Sequence, residues 1–207
     1  MLLKDIEDTI VDLMLKNNLK TYYDIGASLT TKTVKLFETL LSHNINIYAF
    51  EPNPLTFQEL KDKFGYAIQA YNVGIGNKHE TRVLYSTTED LFLSSFSEKF
   101  LTIKTGLNNF HKAACEIVRL DDFINEEVIY KPDLIKVDTE DWEDQVFCSI
   151  PLDLMPVILA EYHSYDVRIK VEDILRGKYG QNIFFNYGSR NIMRYFVYTS
   201  NKKEYKF

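Results

Sequence analysis

The sequence predicts an α/β fold: a mainly parallel sheet covered by helices on both faces. Three observations predict it. Short strand-type runs (Tyr22 to Ile25, Asn46 to Phe50, Leu134 to Val137, Val157 to Ala160) alternate with segments of helical period. These runs are apolar at consecutive positions, as strands buried on both faces are. The chain has 207 residues, 45% hydrophobic and 14% aromatic, which is enough for one domain with a sizeable core.

Leu3, Ile6, Ile10, Leu13 and Met14 recur at helical spacing, so the chain opens on an amphipathic helix (1–19) that ends near Asn17 and Asn18. The α/β core follows over 20–207, within a single domain of 1–207. Tyr22 to Ile25 is the first strand, and Val34, Phe37, Leu40 and Leu41 form the apolar stripe of the next helix. Asn46 to Phe50 is a second strand. Asn53 is placed to cap a helix with Pro54 at its first position, continued by Phe57, Leu60 and Phe64. Tyr66 to Asn72 and Thr81 to Tyr85 read as further strands. Leu91 to Phe110 has no clean period and reads as a loop or lid with one short helix. Leu134 to Val137 is a buried strand, Trp142 to Ile150 a short helix, and Val157 to Ala160 another strand. Asp166 is the expected cap of a helix carrying Val167, Val171, Ile174 and Leu175, stopped at Gly177. Ile183 to Tyr187 and Met193 to Tyr198 read as a closing antiparallel hairpin through Gly188-Ser189-Arg190-Asn191.

Composition narrows the function. The formal net charge of −6 argues against a nucleic-acid partner, which needs a basic face. Lys202, Lys203 and Lys206 read as a solvated terminus. Cys115 and Cys148 make no CxxC pair and no disulfide framework, which suits a reducing, cytoplasmic setting. The charged N-terminus is neither a signal peptide nor a membrane span.

Two motifs sit where an apolar strand gives way to a helix. In Tyr23-Asp24-Ile25-Gly26-Ala27, Gly26 permits a tight turn and close approach of a ligand to the backbone, and Asp24 offers an acceptor. A ligand-free strand-to-helix turn is the alternative. One glycine is too few for a Gly-x-Gly-x-x-Gly fingerprint, which weakens a nicotinamide oxidoreductase reading. Glu51 lies 25 residues after Gly26, close to the spacing at which an acid reaches a ribose diol. The alternative is a surface Glu before a capped helix. Together they describe a pocket for an adenosine-containing ligand.

Asp138 and Glu140 are two residues apart at a strand end, and share a face if the strand continues through them. There they can orient an acceptor or take its proton; acids at a helix N-terminus are the alternative. Glu161 and His163 repeat the spacing, with His163 a base near neutral pH or a structural histidine. The four side chains also suit a hard divalent cation, although no metal is assigned from the sequence. Trp142 reads as a core anchor, with stacking on an adenine as the alternative.

These stretches, with Phe50-Glu51-Pro52-Asn53-Pro54, Asn72-Val73-Gly74-Ile75-Gly76-Asn77, Val118-Arg119-Leu120-Asp121-Asp122-Phe123, Lys136-Val137-Asp138-Thr139-Glu140 and Ala160-Glu161-Tyr162-His163, resemble the FkbM family of S-adenosylmethionine-dependent methyltransferases from about Tyr22 to His163. The resemblance implies a Rossmann-like seven-stranded methyltransferase sheet and O-methylation of a sugar, glycan or small metabolite with S-adenosyl-L-methionine as donor. It implies that Asp24, Gly26 and Ala27 lie beside the methionine part, Glu51 on the ribose, and Asn72 and Val73 near the adenine; Pro52 and Asp138 are further candidates at the cofactor. Asp138 is the candidate acceptor-side base or orienter, with Glu140 in support and His163 as a further candidate base. Ser94-Ser95-Phe96 resembles a small-residue loop over the substrate side. Two glycines of the family pattern are replaced, by Thr30 and by Asp141. A binding or scaffold protein that has lost catalysis is therefore the alternative.

Overall fold

The computed structural model describes residues 5–87, 93–151, 157–179, 186–187 and 195–198. The expected turn at 188–191, the lysines at 202, 203 and 206, and Leu3 lie outside the described residues.

Helix α1 (Ile6–Lys16) is capped by Asp5 and ends at Asn17. Strand β1 (Thr21–Ile25) follows, then α2 (Thr31–Ser42), β2 (Asn46–Phe50), α3 (Pro54–Phe64) and β3 (Gln69–Tyr71). A second group comprises β4 (Gly74–Ile75), β5 (Glu80–Ser86), β6 (Ser94–Ser95), α4 (Glu98–Thr105) and β7 (His111–Val118). The chain then forms α5 (Leu120–Glu126), β8 (Leu134–Val137), α6 (Glu143–Ser149), β9 (Val157–Glu161), α7 (Tyr165–Tyr179), β10 (Asn186–Tyr187) and β11 (Tyr195–Tyr198).

The body is a five-strand parallel sheet in the order β9-β8-β1-β2-β3. Beyond β9, β11 pairs antiparallel and β10 pairs antiparallel with β11. A smaller mixed sheet, β4-β7-β5-β6, stands beside it.

β1 is buried along its whole length because it has a parallel neighbour on each edge and a helix layer on each face. Its alternation sends Tyr22 and Tyr23 to opposite faces. Tyr22 packs with Ile10 and Leu13 of α1, Phe37 of α2 and Leu60 of α3. Tyr23 joins Phe50, Val137 and Ala160 with Phe123 of α5, Phe147 of α6 and Val171 of α7. Helices α1–α3 therefore cover one face and α5–α7 the other. Asn53 caps α3 as its position predicts: its side chain accepts from the Leu55 amide at 3.0 Å, with Pro54 first in the helix.

Several elements depart from the sequence reading. The strand expected over 66–72 is only Gln69–Tyr71, since it pairs with β2 over three residues. The stretch at 91–110, expected as a loop with one short helix, holds that helix, α4, and also the strand β6, which was not expected. β7 and α5 were not foreseen: β7 exposes much of its length, so its sequence shows no apolar run, and it is held by antiparallel pairing along β5. β8 ends at Val137, so Asp138 and Glu140 do not lie on a strand; Glu140 (φ 53°) and Asp141 (φ 77°) form a left-handed turn instead. α7 begins at Tyr165, where the Ser164 hydroxyl rather than Asp166 accepts from the Val167 amide. It also runs past Gly177, and Lys178 Nζ donates to the carbonyls of Phe147, Cys148 and Ile150 at 2.8–2.9 Å. That tie to the end of α6 offsets the roughly 1 kcal/mol a mid-helix glycine costs.

Candidate active site

Strand order reverses between β1 and β8, and a cleft opens beyond their carboxyl ends, where ligands bind in sheets of this kind. Gly26 sets its floor. Its φ is +84°, and its amide and that of Ala27 both donate to the Phe50 carbonyl, at 2.9 and 3.2 Å. A Cβ here would lie 1.9 Å from the Asp138 carbonyl oxygen. Only glycine allows the ends of β1 and β8 to meet, and that contact places Asp138 on the cleft.

The cleft holds about 650 Å³ counted out to its mouth, and Gly26, Ser28, Glu51, Pro52, Asp138 and Trp142 are among its lining residues. Ile75, Leu84 and Phe96 make one end apolar. Trp142 is both an anchor and a wall: its indole Nε1 donates to the Ile75 carbonyl at 3.1 Å, Arg82 lies over its ring, and Phe96 packs against it. The Glu51 carboxyl is buried, and its Oε1 accepts from the Asn53 amide at 2.6 Å. Burial pushes it up to about 8, although the Asn53 amide opposes the shift. It is an acid held in a wall with fewer donors than its ionised form requires.

Asp24, Ala27, Asn72 and Val73 do not line this cleft. Asp24 is buried beneath it, taking hydrogen bonds from Tyr22 Oη and Lys136 Nζ, each at 3.2 Å. Lys136 also reaches Asp138 Oδ2 at 3.4 Å. Burial would strip Lys136 of its proton, but Asp24 and Asp138 hold it well above the usual lysine range. Asp24 therefore acts on Asp138 through a buried cation. Ala27 is packed in the core, and Asn72 Nδ2 donates to the carbonyls of Glu51 and Pro52 at 2.9 and 3.1 Å, fixing the acid from behind. Val73 packs against the core on the α5–α7 face.

A second cavity, about 1370 Å³ counted the same way, lies against α4. Lys99, Phe100 and Lys104 come from α4, and Asp141, Glu161 and His163 from the opposite wall. His163 gathers the acids. Its Nδ1 is 3.0 Å from Glu143 Oε1, and its Nε2 lies 3.2 Å from Glu140, 3.6 Å from Glu161 and 3.7 Å from Asp138. Burial would lower the imidazole, but Glu143, Glu140 and Asp138 outweigh it and lift it to about 9. With these groups alone around it the protonated imidazole is favoured at neutral pH, which suits the structural alternative for His163 better than a free base. Glu140 is held by Lys104 Nζ at 2.5 Å, and its carbonyl accepts from Ser95 Oγ at 2.5 Å. The Asp138–Glu140 pair predicted from strand alternation thus converges through a turn.

Neither replaced glycine blocks the cleft. Thr30 has ordinary extended geometry and caps α2 by accepting from the Thr33 amide at 3.1 Å. Asp141 adopts the left-handed conformation that a glycine would take. Sequence reasoning did not single out Lys136, Glu143, Ile75 or Leu84 as site residues. A lysine inside the apolar run Leu134 to Val137 was the available signal for the first; nothing local marks the others.

The sequence profile of the methyltransferase FkbM domain matches residues 24–184. Among solved structures, similarity extends to a Staphylococcus aureus protein provisionally assigned as a caffeoyl-CoA O-methyltransferase (14% identity, 97% of this chain and 86% of that one, TM-score 0.53). It extends also to a precorrin-6y C5,15-methyltransferase from Geobacter metallireducens (11%, 97% and 90%, TM-score 0.51). A Clostridium thermocellum protein provisionally assigned as an rRNA methylase matches at 9% identity, over 96% of each chain, with a TM-score of 0.54. No curated protein sequence matches the chain. Among the described residues, no helix is long and apolar enough to cross a membrane.

Proposed function

Since the chain belongs to the FkbM methyltransferase family, whose methyl donor is S-adenosylmethionine, we propose that it methylates a hydroxyl of a sugar, a glycan or a small metabolite. The observation that carries this reading is the position of Asp138. It lines the first cleft, is fixed there by the contact with Gly26, and lies 3.7 Å from His163 on the wall of the second cavity. A carboxylate that lines one cavity and lies beside a side chain of the other suits a transfer between a donor in the first and an acceptor in the second.

The residues of the first cleft fit the donor. Glu51 is a buried acceptor in need of donors, and two ribose hydroxyls would supply them. The Gly26 turn leaves backbone open to the methionine portion, and the apolar end at Ile75, Phe96 and Trp142 suits the adenine. When bound, the donor supplies a methyl group on a positively charged sulfur. Asp138 then aligns the acceptor hydroxyl and accepts its proton, steps that positioning and a base accelerate. Lys136 holds one Asp138 oxygen and Asp24 holds Lys136, so Asp24 is a positioning residue. Glu140 supports the acceptor side and is anchored by Lys104.

In this reading β10 and β11 complete a seven-stranded methyltransferase sheet within one domain of 1–207, working in the cytoplasm without a nucleic-acid partner. The structural relatives are named for acceptors of different chemical classes, so the fold by itself favours none. Calorimetric titration with S-adenosylhomocysteine, beside NAD as control, tests the donor site. Saturable binding of the former alone is expected; preferential binding of NAD would replace the methyltransferase reading with an oxidoreductase one.

A further inference from the structure

The side chains at the ends of β8 and β9 are spaced for a guest. Val137 and Ala160 are register partners in a parallel pair, so Asp138 and Glu161 leave adjacent strands side by side, with His163 two residues on. One atom from each of Asp138, Glu161 and His163 lies within 4.8 Å of the others. The His163 Nε2 distances to Asp138 Oδ1 (3.7 Å) and Glu161 Oε1 (3.6 Å) exceed hydrogen-bond length. They approach the separation of two ligand atoms on one ion: atoms each about 2.1–2.2 Å from a metal and about 110° apart are about 3.5 Å from one another.

The surroundings are those of a ligating histidine. Glu143 is fully buried, and its Oε1 faces His163 Nδ1 at 3.0 Å, which turns Nε2 toward Glu140, at 3.2 Å, and toward the two carboxylates beyond it. A carboxylate behind a histidine in this way fixes the tautomer and raises ligand basicity. The other oxygen, Glu143 Oε2, is buried and finds no hydrogen-bond partner among the described residues. Lys136 faces Asp138 through Oδ2, leaving Oδ1 toward His163, and Lys104 pairs with Glu140.

We infer that Asp138 Oδ1, Glu161 and His163 Nε2 form a binding site for one first-row divalent cation, of the Mn²⁺ or Zn²⁺ kind. One imidazole with two carboxylates suits such ions better than Ca²⁺ or Mg²⁺, which take all-oxygen shells. An ion on Nε2 takes the place of the proton there, and the two carboxylates match its double charge. Glu161 and His163 line the second cavity, so the remaining coordination positions open toward the space where an acceptor would enter. The site stands independently of the methyl-transfer reading, since it is argued from ligand geometry alone.

Mn²⁺ titration of the full chain without donor or acceptor, followed by loss of the free-ion electron paramagnetic resonance signal, tests it. One saturable site is expected. Glu161→Gln and His163→Asn should each weaken it by at least tenfold, and Glu143→Gln by about 10–100-fold through the imidazole. Nitrogen modulation of the bound Mn²⁺ in the unaltered chain reports the histidine even if a variant fails to fold. No saturable binding at millimolar Mn²⁺, unchanged affinity in the folded variants, or bound Mn²⁺ without nitrogen modulation would each overturn the site.

Discussion

The two sides of the candidate active site are built by different means. The donor side, at the ends of β1 and β2, rests on backbone: a glycine turn, two amides on the Phe50 carbonyl, and one acid pinned by an amide and by Asn72. The acceptor side, at the ends of β8 and β9, rests on charged side chains that meet across the fold and are covered by α4. Backbone devices tolerate little change and leave a compact motif. Side-chain clusters can be rebuilt residue by residue, and that freedom suits a side that must match different acceptors. Substitutions on the two sides should therefore fail differently: donor-side changes in binding and stability, acceptor-side changes in turnover.

The largest expected effect is on the acceptor side. Asp138→Asn keeps the size of the side chain and the Gly26 contact, which involves only the Asp138 backbone, but removes the proposed proton acceptor. We expect turnover to fall about 10²–10⁴-fold while affinity for S-adenosylhomocysteine changes by less than threefold. If both fell together, Asp138 would belong to the donor side and the division would break.

Legibility followed how local each signal is, not which side it serves. The helices α1, α2 and α3 and the strands β1, β2, β8 and β9 could be read because their apolar periods are local and their caps, such as Asn53 with Pro54, are adjacent in sequence. The Glu51 position was readable for the same reason. Asp24 was legible as a motif residue but not in its role, because its partner Lys136 is 112 residues away. His163 was read from its usual pKa, and only the fold brings Glu140 and Glu143 around it. α4 buries only Leu101 among its own residues, so its sequence carries almost no helical period.

On the donor side, Gly26→Ala sets a Cβ 1.9 Å from the Asp138 carbonyl oxygen in a left-handed conformation. The ends of β1 and β8 must separate, and we expect about 3 kcal/mol or more of lost stability in denaturant unfolding, together with loss of donor binding. A variant of near-native stability that still binds donor would show that the turn has slack. This would remove the backbone argument for the donor side.

Glu51 gives a smaller effect with a pH signature. Burial lifts its carboxyl from 4.5 to about 8 in the folded chain. Between those values the folded chain holds a proton that the unfolded chain has released. The stabilising contribution is therefore full below about 4.5 and lost as pH rises through about 8. Ribose hydroxyls donate to the ionised form, so donor binding at pH 7 should release a proton, and affinity should rise with pH until about 8. Calorimetry in two buffers of different ionisation enthalpy reads that proton. Glu51→Gln should abolish its release and weaken binding about 10–100-fold, since hydrogen bonds to an ionised acceptor contribute about 1.5–3 kcal/mol. A wild-type chain that releases no proton would place the ribose elsewhere.

The smallest expected effect tests whether the acceptor side also contains a backbone device. Asp141 holds φ 77° on the wall of the second cavity, in a conformation where side chains other than those of Asn and Asp are rare. Glycine takes it without the Cβ penalty but loses more freedom on folding, so Asp141→Gly should stabilise the chain by only about 0.5 kcal/mol in thermal unfolding. A clear loss of stability instead would mean that the Asp141 carboxylate, not the turn, holds the segment between β8 and α6. The acceptor side would then be side-chain built throughout.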